Sequence, residues 1–196
     1  MNILTFDIED WYNCDFITTD LNWDKYEVRI HEGVDRILNE LKTRNLKATF
    51  FCLGSKIEQS SQIFEEIRLG GHAIGNHGYN HVSGFSCGLQ KYTANVRQGA
   101  EISGSKLFRP PYGRISPWQI KRLKKDYKLI MWGIMSMDFK QTLTPAQCLQ
   151  NVIQNIKPGA IILFHDTEKA KGNVLQALPE LLDWIDKNGY QAKALS

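Results

Sequence analysis

Two imidazoles, His77 and His81, stand four residues apart in the run Gly71-His-Ala-Ile-Gly-Asn-His-Gly-Tyr-Asn-His81, just after a short apolar segment. A helical turn beginning near Asn76 would put both rings on one face, where they could grip a single cation. By spacing alone the pair fits two solvated histidines more readily than a metal site. What shifts the reading is the company they keep. Asp7, Arg109, Asp138 and His165 each fall at or just past the end of a β-prone run. A pocket holding two histidines and a carboxylate as ligands, plus a spare carboxylate and a spare histidine, is equipped for metal-assisted hydrolysis. The cation polarises a carbonyl and activates water, one side chain takes a proton, and another returns one.

The elements that must position these residues alternate along the chain. Periodicity predicts a strand over 2–6 that runs into Asp7-Ile-Glu-Asp10, then an irregular aromatic stretch over 11–26. A helix is predicted around Val34, Ile37, Leu38 and Leu41, and a strand over 47–53 that Gly54 stops. Further helices are expected over 57–69, 89–102, 115–125, 145–156 and 174–187. Strands are expected over 73–76, 106–109, 129–135, 160–164 and 190–195. Pro110-Pro111 must end any regular element, and Ser116-Pro117 is a helix start. About seven βα units imply an α/β barrel or a doubly wound sheet, and in either architecture chemistry collects at the carboxyl ends of the strands.

Bulk properties bound the rest. A chain of 196 residues, 42% hydrophobic and 23% charged, is long enough for one sizeable core, so a single domain over 1–196 is expected. A net charge of +3 is too small to argue for a nucleic-acid partner. No segment approaches the about 18 apolar residues of a membrane span, and the first residues lack the pattern of an export signal, so a cytoplasmic place is expected. The four cysteines, Cys14, Cys52, Cys87 and Cys148, are scattered without metal-ligand spacing and read as free thiols.

Five runs resemble successive motifs of the NodB-type polysaccharide deacetylases, carbohydrate esterase family 4. They are Thr5-Phe-Asp7, Ala48-Thr-Phe-Phe51, the run from Gly71 to His81, Phe108-Arg-Pro-Pro-Tyr-Gly113 and Ile162-Leu-Phe-His165. They occur in the family's order and cover nearly the whole chain. The resemblance implies a distorted (β/α)7 barrel and a divalent cation, usually zinc, working on N-acetyl groups of amino sugars. It implies His77 and His81 as metal ligands, Asp7 as catalytic base and His165 as general acid. It further implies that Arg109 orients the base, that Asp138 tunes the acid histidine, and that the Tyr112 backbone N–H serves the oxyanion. Two departures stand out. The family usually has adjacent aspartates in its first motif where this chain has Asp7-Ile-Glu-Asp10, and Phe139 stands where tryptophan is common.

If the strand continues through Glu9, its period of two sends Asp7 and Glu9 to one face. Asp7 is then the base and Glu9 the third metal ligand, with Asp10 in reserve should the chain turn at Glu9. His72 is read as a structural histidine and His31 as a surface one. Asp166 either caps the helix that follows or supports the site, with the cap preferred. The basic run from Lys121 to Lys125 is a solvated helix face or, on a sharper view, a seat for anionic groups. The expected activity is removal of an N-acyl group, foremost acetyl, from an amino sugar that could be nucleotide- or lipid-linked. Hydrolysis of a formamide or cyclic amide, Fe(II) oxygen chemistry and a non-catalytic sugar-binding module are the competing readings. The sequence leaves the oligomeric state open.

Overall fold

The computed structural model describes residues 2–10 and 27–196. The irregular stretch expected over 11–26, with Cys14, lies outside the described residues. The other three cysteines are free.

The central strand is β1 (Asn2–Ile8), buried along almost its whole length because it has neighbours on both sides. It is flanked by β2 (Thr49–Cys52) and β7 (Ile161–His165), both parallel to it. From β2 the sheet continues to β3 (Ala73–Asn76), β4 (Leu107–Phe108) and β5 (Lys128–Leu129), and from β7 to β6 (Ile134–Met135). β8 (Ala192–Lys193) pairs with the start of β1. All these pairings are parallel, and the sheet curls with helices packed on its outside as a distorted (β/α)7 barrel. β5 and β6 are its two edges, so among the described residues no ladder closes the barrel between them.

Side-chain alternation sorts the strands into two faces. Leu4, Phe6 and Ile8 join Phe50, Ile162 and Phe164 in the main apolar core, and Phe6 stacks on Phe50 with ring centroids 5.1 Å apart. Helices α1 (Ile30–Thr43) and α7 (Glu168–Lys187) close that core with Val34, Ile37, Leu41, Leu178 and Leu181. Thr5 and Asp7, on the opposite face, point into the barrel. The register sets His165, Asp7, Phe51 and Gly75 side by side in one row across β7, β1, β2 and β3. That row is the floor of the site.

Several expectations are corrected. The helix expected over 57–69 is two, α2 (Gly54–Gln59) and α3 (Ser61–Leu69), broken at Ser60. The apolar run 129–135 is not one strand but the two edges β5 and β6, because residues 130–133 must cross the gap between them. The last helix begins at Glu168 rather than at 174, and the last strand shrinks to β8. No helical turn begins at Asn76. Residues 77–83 form a loop in which Gly78 and His81 both have positive φ, of 83° and 53°. The helices α4 (Leu89–Ser103), α5 (Pro117–Leu123) and α6 (Pro145–Ile153) lie near their expected places. Ser116 and Thr144 cap α5 and α6, each reciprocated by a glutamine three residues on, with proline at the first helical position.

His72, at the entry to β3, is the structural histidine expected. Its Nδ1 accepts the Ala48 N–H at 3.2 Å, which fixes the neutral ring. Burial, helped by the nearby Lys47 charge, pushes its pKa down to about 4. An unfolded histidine protonates near pH 6.5, so the stability that neutral His72 confers is fully present above that pH and is lost as the pH falls through about 6.5 toward 4. Replacing His72 with asparagine retains an acceptor for Ala48 without the titration. The melting temperature of His72→Asn is therefore expected to fall less steeply than that of the wild type between pH 6.5 and 4. Parallel profiles in thermal melts would refute the assignment.

Candidate active site

At the carboxyl end of β1 the chain delivers Asp7 and Glu9, and beside them the 77–81 loop delivers His77 and His81. One ligand atom each from Glu9, His77 and His81 lies within 4.8 Å of the others. His77 Nδ1 stands 2.9 Å from the Arg109 carbonyl, which can only accept, so Nδ1 carries the proton and Nε2 keeps its lone pair. That lone pair faces Glu9 Oε1 at 3.3 Å, and His81 Nε2 is 3.0 Å from the same oxygen. A lone pair turned on a carboxylate calls for a cation between them. Both nitrogens of His81 are buried and make no hydrogen bond to a described residue. Leaving such a group unsatisfied costs about 1–3 kcal/mol, which a bound metal would offset. Burial alone would raise the Glu9 pKa, but the two imidazoles that face its carboxylate hold it well below the usual carboxylate range. The donor set fits a divalent cation, and the carbonyl behind His77 is the outer-shell support that ligating histidines normally have.

Asp10 goes elsewhere. Its φ of 67° turns the chain so that Oδ1 accepts the Arg29 N–H at 3.2 Å and Oδ2 lies 3.6 Å from Lys56 Nζ. Burial lowers the Lys56 pKa, and Asp10 partly restores it. Beneath both acids sits Asp166, a carboxylate that accepts the Glu9 N–H at 2.8 Å and the Asp10 N–H at 3.4 Å. The preferred reading of Asp166 as a helix cap is thus corrected, since it clamps the backbone of the first motif instead. Burial raises its pKa to about 8, assisted by the Asp10 and Glu9 charges and opposed by the two amides.

Asp7 is held from the other side. Its Oδ1 accepts from Arg109 Nη1 at 2.7 Å, and the same nitrogen donates to Thr5 Oγ1 at 2.9 Å. Thr5 in turn donates to the Ile162 carbonyl on β7. Arg109 is fully buried, with its guanidinium 4.0 Å above the Phe51 ring. Gly75 makes room for that ring, because a Cβ there would come within 2.5 Å of it. Removing one partner of such a buried pair strands the other charge at a cost of about 3–5 kcal/mol.

His165 ends β7 directly opposite Asp7. Its Nδ1 bonds Asp138 Oδ1 at 2.8 Å, and its own N–H donates to Asp138 Oδ2 at 2.7 Å. Asn173, from the stretch of α7 that was not expected to be helical, donates to the Asp138 carbonyl at 2.8 Å. Burial would lower the His165 pKa, but the Asp138 charge and hydrogen bond, with Glu9 and Asp7 adding, raise it to about 10. Tyr112, at φ 58° in the turn after Pro110-Pro111, lays its ring 4.4 Å from that of His81. These groups open on a cavity of about 300 Å³ whose apolar wall is Trp132, Met135, Phe139 and Leu163.

The sequence profile of the polysaccharide deacetylase family matches residues 3–128, well over half of the chain. The chain belongs to that family. The matched span holds four of the five motifs, and the fifth, from Ile162 to His165, lies beyond it. It is 34% identical over 161 residues to a peptidoglycan-N-acetylglucosamine deacetylase of Bacillus cereus, an alignment covering 79% of this chain but 57% of that relative. A crystal structure of a peptidoglycan N-acetylglucosamine deacetylase in complex with a naphthyl N-hydroxybenzamide superposes with a TM-score of 0.82 at 27% identity, covering 99% of this chain and 85% of that one. A mutant of a Bacillus anthracis pseudoenzyme of carbohydrate esterase family 4, with restored enzymatic activity, superposes with a TM-score of 0.78 at 25% identity, covering all of this chain and 65% of that one. This family member therefore spans little more than half of the length of the first relative.

Thr5, Gly75 and Asn173 carry the site without having been picked out as its parts by the sequence, whereas support of the site was the second of the two readings of Asp166. Thr5 and Gly75, each inside a motif, had a local signal, and Asn173 had none. The arrangement separates the three first-motif acids by function. Glu9→Gln and His77→Ala are each expected to lose most bound cation, while Asp10→Asn retains it and lowers thermal stability instead, since Asp10 neutralises the buried Lys56. Calorimetric titration with Zn²⁺ checks this. Equal retention of metal by Glu9→Gln and wild type is the contrary result.

Proposed function

We propose that this chain hydrolyses an N-acyl amide, foremost N-acetyl, on an amino sugar of a glycan or glycan precursor. The observation that carries the reading is a pair of oppositely equipped groups on neighbouring strands. Asp7, anchored by Arg109, and His165, anchored by Asp138, share one cavity with Glu9, and Glu9 in turn is grouped with His77 and His81. A divalent cation held by Glu9, His77 and His81, with zinc favoured by the nitrogen-rich donor set, would supply Lewis acidity toward the acyl carbonyl and lower the pKa of water.

The chain's own groups divide the proton work. Asp7 has one oxygen fixed by Arg109 and the other directed toward the ligand cluster, 3.8 Å from His77 Nε2, so it is set to take a proton from the attacking water. His165, kept protonated by Asp138, can hand a proton to the departing amine. The Tyr112 turn, stiffened by two prolines, is where a backbone donor would meet the developing oxyanion. Trp132, Met135, Phe139 and Leu163 give a small apolar acyl group a dry wall. Named deacetylases among the relatives support an amino-sugar substrate.

The purified chain is expected to release acetate from N-acetylated amino-sugar oligomers in a chelator-sensitive manner. Preference for N-formyl or cyclic-amide substrates in the same panel would replace the acetyl assignment, and inactivity on all with metal bound would favour a binding module. Asp7→Asn and His165→Ala are each expected to keep metal and lose roughly 10²-fold or more in kcat. The high pKa of His165 means the acid is competent below about pH 10 and is lost above it. Asp138→Asn removes the main raising influence, so the alkaline limb of the pH–rate profile should move to lower pH. An unmoved limb in that profile argues against His165 as the acid.

A further inference from the structure

Six large apolar side chains are exposed among the described residues, and five of them are carried by neighbouring segments of the chain. Phe85 and Trp118 are 70% and 72% exposed, and Leu89, Ile120 and Met131 accompany them. Hydrogen bonds stitch the segments that carry them. The Gly84 N–H donates to the Arg114 carbonyl at 2.9 Å, and buried Gln119 donates from Nε2 to the Gly84 carbonyl at 2.8 Å and the Cys87 carbonyl at 3.4 Å. Met131 packs beside Gly113 on the same rim. Arg114 lines the mouth of the catalytic cavity, so the apolar cluster borders that mouth.

The same segments are strongly basic. Residues 82–91 and 111–125 carry six lysines and arginines and no aspartate or glutamate, against a net charge of +3 for the whole chain. Arg114, Lys121, Lys124 and Lys125 are exposed, while Arg122 pairs with Asp126. Monomeric surfaces rarely gather apolar side chains in this way without a partner. Large apolar side chains ringed by cations are the pattern of a surface that sits in the headgroup and acyl boundary of a bilayer. A sugar chain would use the two aromatic faces but gain little from aliphatic neighbours such as Leu89 and Met131, whereas a lipid boundary takes both kinds.

We infer that the face formed by residues 82–91 and 111–125 docks on an anionic lipid surface and presents the catalytic mouth to substrate held there. No helix among the described residues is long and apolar enough to cross a membrane, so the contact is peripheral. Binding is independent of the hydrolytic reading and can be measured without turnover.

The test is co-sedimentation of the whole chain with phosphatidylcholine vesicles, with and without phosphatidylglycerol, at low and high salt. Wild type is expected to partition onto the phosphatidylglycerol vesicles and to be released by salt. Lys121→Gln with Lys125→Gln should weaken partition by roughly fivefold per lysine, from about 1 kcal/mol each. Phe85→Ser with Trp118→Ser should abolish most of it. Both double variants should keep wild-type melting temperature and wild-type turnover of a small soluble substrate, which shows that they are folded. Wild type remaining in the supernatant with every vesicle overturns the inference, as does undiminished partition of the aromatic variant. It is equally overturned if the aromatic variant instead raises KM for long soluble oligosaccharides with no vesicle binding, or dissolves a wild-type dimer seen by sedimentation, since these assign the face to a sugar chain or to a second copy.

Discussion

The buried Arg109 guanidinium is the constraint on which the site depends. It reaches Asp7 and Thr5 on β1, touches β7 through Thr5, rests on the Phe51 ring of β2, and donates from Nε to the Ile130 carbonyl at 3.4 Å. Ile130 lies in the crossing between β5 and β6, where the sheet has no ladder of its own. One cation therefore ties the open side of the barrel to its centre. A lysine could not do this, because a point charge cannot donate in several fixed directions from one plane. The Arg109 carbonyl also fixes the His77 tautomer, so one residue positions both Asp7 and His77.

The electrostatics form a balanced set. Glu9 is held ionised, His165 is held protonated, and Asp166 is pushed toward its neutral form, all within one buried region. Asp166 accepts two backbone amides, which lets the chain bend sharply at Asp10 without abandoning buried N–H groups. That bend is what sends Glu9 and Asp10 in opposite directions. Glu9 is left facing the two histidines, and Asp10, the last acid of the run, becomes the counter-charge for Lys56.

The mouth of the site joins two contrasting surfaces. Inside, the charged floor meets an apolar wall from Trp132, Met135, Phe139 and Leu163. Outside, the turn after Pro110-Pro111 continues into the Arg114 to Ile120 segment, so the same rigid stretch that places Tyr112 against His81 also places the exposed apolar rim. Chemistry and docking would thus be registered to one another by a short piece of backbone.

Alternating strand and helix periods, with Asp7, His77, Arg109 and His165 falling where strands end, were enough to determine the α/β class and the end of the strands where these residue types gather, while the choice of a barrel over a doubly wound sheet came from the resemblance of the motifs. Side-chain period is a local property, and strand ends are marked by local breakers such as Gly54 and Pro110. The tertiary structure decided the rest. Residues 129–135 look like one strand because apolar pattern cannot register a gap in a barrel. His77 and His81 were expected to converge by helical spacing, but they converge through positive φ at Gly78 and His81, which only the surrounding backbone selects. The choice of Glu9 over Asp10 near the histidines rests on Asp166 and Lys56, which are 157 and 46 residues away along the chain. Partners so distant in sequence leave no mark on spacing, and their effect exists only once burial has removed the water that would otherwise satisfy every one of these groups.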